Sequence, residues 1–353
     1  MGMKPAVILQ LLSLGLSLST LSVVAQEAPS VPQSPEITFY SSSDLVLVDV
    51  VALNANNGLS DKMLKRDDFQ IFDNGHPVSI KTFDSGAQFS IRPLALWFVV
   101  QCYMPGYEAK GSGLFRGQTS LFKPALKYLE KQDTVAVAHW CDDGDSRFDL
   151  LPTNTVEEAA TTLEQVLAPS HYADDHDRTG ELALQKTLQL IIEATRSLVP
   201  EPVPVVIFLY GDYSGMPKSE ANHFIDELLE TSAVAYGLRD RRSPRIWLLG
   251  EQGAVANYIA TQTGGQYLWV TPETYSKGLE EILQQLHGRY ELGFKPEARD
   301  RKRHKLSVKL ADAVKNQHKG ARLSYRSAYV PVAFRSSWDE ENHGARFRRW
   351  VTG

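Results

Sequence analysis

With 353 residues, 43% of them apolar and 22% charged, the chain can bury a large core, which excludes disordered and fibrous classes. Its formal net charge of −5 makes no general case for nucleic-acid binding. After the first 25 residues no stretch is long and apolar enough to span a membrane as a helix.

Residues 1–25 place Lys4 before the apolar run Ala6–Leu21 and end on Val23-Val24-Ala25. That is the pattern of a secretory signal peptide, so cleavage after Ala25 and a secreted or periplasmic location are expected. The run is short for an uncleaved anchor, the alternative reading, and contact with a membrane is expected through this segment alone. Residues 26–36 are rich in Pro and Ser and read as a flexible lead-in.

Residues 37–92 read as an N-terminal β segment. Asp44–Asn54 is β-branched and partly alternating, Leu64–Asp68 suggests a short helical turn, and Phe69–Phe72 forms a strand. Asp73-Asn74-Gly75 is a turn signal favouring positive φ, and Val78–Phe83 should return as the next strand.

Leu94–Val100 is an unbroken apolar run between Pro93 and Pro105-Gly106, as a parallel strand buried on both faces should be. Helical and strand patterns then alternate over residues 93–288. Phe122, Leu126 and Leu129 fall at helical spacing; Thr134–Trp140 is a strand, and Phe148–Leu151 a short antiparallel one. Thr155 and Glu158 have capping-box form before a helix, and a longer helix covers Thr179–Val199. Val203–Tyr210 is a second fully buried strand, followed by helix 219–231, strand 233–238, helix 254–263, strand 266–270 and helix 274–286. This alternation predicts a doubly wound, Rossmann-like α/β domain with a mostly parallel six-stranded sheet and one short antiparallel edge.

From residue 289 to 332 the strand grammar returns, with Arg289–Phe294, Lys305–Leu310 and Arg322–Ala328. Pairing of these strands with residues 37–92 would make a small antiparallel β domain into which the α/β domain is inserted. Arg299, Arg301, Lys302, Arg303, His304 and Lys305 form a basic cluster, read as a solvated hairpin turn ahead of a polyanion site. Residues 333–353 read as a tail with Trp338, Phe347 and Trp350 as anchors.

The stretches LALWFVVQCYMPG, VVIFLYGDYSG and TGGQYLWV with ELGF, in this order, resemble the von Willebrand factor type A-like domain. The flanks LVLVDVVALN, LKRDDFQIFDNGHPVSIKTF and HKLSVKL are more closely similar to the acidobacterial-type VWFA-related family of exported proteins. The resemblance covers roughly residues 40–330. It implies a metal-ion-dependent adhesion site at the carboxyl edge of the sheet, built from Asp-x-Ser-x-Ser, a Thr and an Asp around a Mg²⁺ or Ca²⁺ ion. Gln101, Tyr103 and Pro105 occupy the first three positions here, while Thr179 and Asp212 match the last two. That set implies a degenerate site, with no cofactor expected and weak Mg²⁺ or Ca²⁺ binding left open. Thr179 and Asp212 read equally well as a helix N-cap and a turn residue.

Asp142, Asp143 and Asp145, and Asp174, Asp175 and Asp177 with His171 and His176, crowd the same expected edge. They form either a rebuilt cation site or, on the weightier reading, solvated acidic loops. The fold implied by the resemblance puts Cys102 and Cys141 just past neighbouring strands, which makes them a disulfide candidate or two half-buried thiols. No Gly-rich phosphate loop, Gly-x-Ser-x-Gly elbow or His-Glu-x-x-His is present. The expected function is therefore a non-enzymatic protein-binding module of adhesion type, taking another protein or a cell-surface component and no nucleic acid. The alternative is a metal-dependent enzyme or Ca²⁺-binding module using loops 142–145 and 171–177.

Overall fold

The computed structural model describes residues 45–55, 58–60, 63–85, 92–101, 122–140, 146–166, 180–198, 202–209, 218–240, 255–271, 274–298, 300, 302–315 and 320–331. All of them fall in one of the chain's two contact units, residues 43–353.

The central sheet has the order β10-β9-β8-β5-β6-β7. Its strands are β5 (Leu94–Gln101), β6 (Thr134–Trp140), β7 (Ser146–Thr153), β8 (Val203–Leu209), β9 (Val234–Asp240) and β10 (Tyr267–Val270). All neighbours run parallel except β6 and β7. The doubly wound sheet with one antiparallel edge is thus the observed architecture, although β7 spans 146–153 and is longer than the expected 148–151.

Alternation along β5 sends Leu94, Leu96, Phe98 and Val100 to one face and Ala95, Trp97 and Val99 to the other, all fully buried. The first set packs on α1 (Lys123–Leu126), α2 (Val156–Val166) and α6 (Tyr275–His287). The second packs on α3 (Gly180–Arg196), α4 (Lys218–Glu230) and α5 (Val255–Thr263). A strand buried on both sides cannot alternate apolar with polar, which is why the continuous apolar run marked it. Trp97 keeps its buried indole N–H satisfied by donating to Thr195 Oγ1 at 2.8 Å.

The remaining strands form two four-stranded antiparallel sheets, in the orders β13-β1-β11-β4 and β14-β12-β2-β3. They are β1 (Val46–Leu53), β2 (Phe69–Asp73), β3 (His76–Val78), β4 (Ile80–Ser85), β11 (Tyr290–Phe294), β12 (His304–Leu310), β13 (Arg322–Ser324) and β14 (Ala328–Tyr329). A 3-10 turn at Arg66–Asp68 and a short helix, α7 (Asp312–Lys315), complete the set. N-terminal and C-terminal strands pair directly, β1 with β11 and β13, β2 with β12. The two sheets enclose a core that includes Val48, Val50, Phe69, Ile71, Leu292, Phe294 and Leu306.

Two expected strands prove to be pairs of strands in different sheets. Val78–Phe83 divides at Ser79: β3 closes the hairpin with β2 through Asn74 and Gly75, both at positive φ, and β4 crosses to pair with β11. The register slips between Gly293 and Phe294, so Lys81 is bulged out, and Ile80 and Phe83 reach the same core despite their three-residue spacing. Arg322–Ala328 likewise divides into β13 and β14, with Tyr325–Ser327 leaving strand pairing to cross the end of α5, where Ser327 N donates to Gln262 O at 3.2 Å.

Candidate functional site

β5 is flanked by β6 on one side and β8 on the other, so strand order reverses at this point of the sheet. Doubly wound folds bind ligands in the crevice this leaves beyond the carboxyl ends. Gln101 ends β5 opposite Trp140, the last residue of β6, and Val100 pairs with Leu209, the last residue of β8. The backbone of Gln101 therefore marks that edge. Tyr103, Pro105, Cys102, Cys141, Asp142, Asp143, Asp145, His171, Asp174, Asp175, His176, Asp177, Thr179 and Asp212 all lie outside the described residues, as does the tail with Trp338, Phe347 and Trp350. The described framework shows where their chain segments begin. Cys102 and Cys141 each follow one member of the Gln101–Trp140 pair, Thr179 immediately precedes α3, and Asp212 comes three residues after β8.

Just inside this edge a polar pair interrupts the apolar sheet. His139 is buried on β6, with Nδ1 2.7 Å from Asp149 Oδ2 on β7. Arg147 stands at 3.7 Å from the same carboxylate. A carboxylate at one ring nitrogen fixes the orientation of the imidazole and makes the burial tolerable. Among the described residues, no three or more His, Cys, Asp or Glu side chains are grouped to hold a metal ion.

The opposite, amino edge carries a charge network, where the α/β domain leaves and rejoins the β strands. Arg289 is buried between α6 and β11, donating from Nε to Asp49 Oδ1 at 2.8 Å and from Nη2 to Arg92 O at 2.8 Å. Its Nη1 caps the end of α6 by donating to Leu286 O at 2.5 Å. Arg92 in turn donates from Nε to Glu291 Oε2 at 2.7 Å and lies 3.6 Å from Asp49. Burial pushes the Glu291 carboxyl above its ordinary pKa, an effect that Arg92 opposes and Asp49 reinforces. Beside this network, Asp133 accepts from the Leu94 amide at 2.7 Å and from the Glu130 amide at 2.9 Å, with His287 Nε2 at 2.8 Å. Burial alone would raise the Asp133 pKa, but these hydrogen bonds and His287 prevail and hold it below its ordinary value.

Arg326 closes the same edge from the C-terminal strands. Its Nη1 donates to Leu229 O at the end of α4 at 3.0 Å, and its Nη2 to Leu47 O on β1 at 2.5 Å. Burial brings its pKa down to about 10. None of these residues stood out in the sequence; the available signal was Asp49 inside an apolar run, with Arg92 and Arg289 at the two domain boundaries.

The basic cluster is not the fully solvated turn expected from sequence. His304 is buried, with Nδ1 2.9 Å from Asp73 Oδ1 and Nε2 3.1 Å from Asp300 Oδ1, while Tyr329 donates to Asp73 Oδ2 at 2.7 Å. Arg303 reaches α4 and donates to Asp226 at 2.5 Å. Arg299 and Arg301 lie outside the described residues.

No protein-family model matches the chain, and no curated protein matches its sequence. Solved structures do match it. A von Willebrand factor type A protein from Catenulispora acidiphila is 11% identical, with a TM-score of 0.40 over 74% of this chain and 72% of that one. The chain is similar to von Willebrand factor type A structures. The conserved hypothetical protein BatB from Bacteroides thetaiotaomicron is 16% identical, with a TM-score of 0.39 over 54% of this chain and 98% of that one. Proximal thread matrix protein 1 from the mussel byssus is 12% identical, with a TM-score of 0.37 over 56% of this chain and 49% of that one.

Proposed function

We propose that the chain is an exported, non-enzymatic protein-binding module that uses the carboxyl edge of its central sheet without a bound metal ion. The observation that supports this most is the reversal of strand order at β5, the point where doubly wound folds bind ligands beyond the carboxyl ends of their strands. Oxygen ligands are what Mg²⁺ or Ca²⁺ requires, and Pro105 has none to offer in its side chain. The exit segment of β5, with an amide, a phenol and a pyrrolidine at 101, 103 and 105, instead suits direct protein contact through hydrogen bonds and apolar area. Export rests on the signal pattern of residues 1–25, and the partner class is another protein or a cell-surface component.

The test is capture of the partner by the full chain and by a Q101A/Y103A variant, each in millimolar Mg²⁺ and in EDTA. Capture should be equal in both buffers and lost in the variant. Loss of capture by the unaltered chain in EDTA would instead indicate a metal-mediated contact and overturn the proposal.

A further inference from the structure

A second surface, remote in sequence from the carboxyl-edge loops, lies in the β domain. β12 is covered unequally along its two sides. On one side β2 pairs with Leu306 through Leu310. On the other, β14 pairs only with His304 and Lys305, and Ser327 O accepts the last hydrogen bond from Leu306 N at 2.9 Å. Backbone groups alternate sides along an antiparallel strand, so Val308 and Leu310 point their N–H and C=O the same way as Leu306. Among the described residues no strand pairs with them there. Among the described residues β13 is also paired with a strand on one side only, by β1.

These two open edges border one groove of about 810 Å³. Phe72, Leu310, Leu323 and Tyr325 supply its apolar surface. Lys309, whose ammonium lies 4.7 Å from the centre of the Phe72 ring, and Lys315 supply two cations against the single carboxylate of Asp312. An unpaired strand edge takes an extended chain, and a half-apolar, net-positive lining takes alternating apolar and acidic side chains.

We propose that this groove binds an extended segment of a partner protein with alternating apolar and acidic residues, which adds to β12 as a strand at Val308 and Leu310. Backbone pairing supplies the register, the apolar side chains meet Leu323 and Tyr325, and the carboxylates meet Lys309 and Lys315. This inference does not depend on the carboxyl-edge reading, because the two surfaces share no residue.

The experiment uses the full chain and two labelled peptides, one alternating valine with glutamate and one alternating valine with lysine. Fluorescence anisotropy should show the glutamate peptide bound at least about tenfold more tightly, and a K309E/K315E variant should reverse that preference. Both lysines are solvent-accessible, so the variant should fold, and its circular dichroism checks this. Methylating the peptide's backbone nitrogens on the pairing side should abolish binding, and the unmethylated peptide should slow hydrogen exchange at Val308 and Leu310. Equal binding of both peptides, or binding indifferent to methylation, would overturn the proposal. So would slow exchange at these amides in the free protein, since another part of the chain or a second copy would then already fill the groove.

Discussion

Arg289 carries a charge into a site where only 2% of its side chain is exposed, and it is tolerated because Asp49 and two carbonyl oxygens give each of its three nitrogens an acceptor. Arg289→Met keeps much of the packing but takes from Asp49 its 2.8 Å ion-pair partner and leaves Arg92, at 3.6 Å, as its remaining salt bridge among the described residues. It should lower the free energy of unfolding by about 3–5 kcal/mol, read from urea denaturation. Adding D49N should recover part of that loss, because the second substitution removes the stranded charge. His304 makes the opposite kind of test, since its charge can be removed by pH. Burial opposes its protonation, but the hydrogen bonds it donates to Asp73 and Asp300 and the charges of those carboxylates prevail, and its pKa lies above the ordinary value. A raised histidine pKa contributes stability that is complete below the unfolded value of about 6.5 and is lost as pH climbs through the folded value. The urea midpoint should therefore fall as pH rises above about 6.5, and His304→Gln should flatten that part of the profile. An unchanged slope in the variant would assign the pH dependence to other groups.

The segment Ser324–Ser327 is held against the turn after α5 by Ser324 Oγ, which donates to Gly264 O at 2.8 Å, and by Ser327 on Gln262. Gly264 has φ of +89°, and a Cβ there would stand 2.4 Å from the backbone nitrogen of Arg326. Gly264→Ala combines left-handed strain with a backbone clash that no side-chain rotation relieves. Thermal unfolding should report a loss of about 2–4 kcal/mol, more than the roughly 1 kcal/mol that the conformation alone would cost. A second prediction concerns β5 and β6, whose ends are fixed opposite each other by the Gln101–Trp140 pair. Neighbouring strands lie about 4.8 Å apart, which suits the ~5.5–6 Å Cα separation of a disulfide between Cys102 and Cys141. Mass spectrometry of the protein under non-reducing conditions should find neither thiol alkylated; two alkylated thiols would refute the bridge.

At the scale of the molecule, the architecture of the described residues was readable where one physical rule decided the pattern. Leu94–Val100 and Val203–Leu209 are buried on both faces, so their sequences are uniformly apolar and leave no ambiguity. The division of Val78–Phe83 was not readable, because the bulge at Lys81 depends on the Gly293–Phe294 slip in a strand more than two hundred residues away. Nor was the amino-edge network, since Asp49, Arg92, Arg289 and Arg326 meet only through tertiary structure. The expected metal-site positions had the reverse fate, named in the sequence but lying outside the described residues apart from the backbone of Gln101. The same network predicts a global property. Because buried charges bridge β1, the entry to β5 and the exit from α6, the α/β and β parts should unfold together. Calorimetry should give one transition with equal calorimetric and van't Hoff enthalpies, and R289M should broaden or divide it.

Arg92 and Arg289 stand side by side where the chain enters and leaves the α/β domain, with Arg289 donating to the Arg92 carbonyl. That contact closes the nearly two hundred residues between them into a loop tied at its neck. Tension applied at residues 45 and 331 would run through the interlocked β1, β11, β12, β13 and β14 and bypass the tied loop. A mechanically loaded chain of this design would bear force with its β strands, while the central sheet kept its strand register.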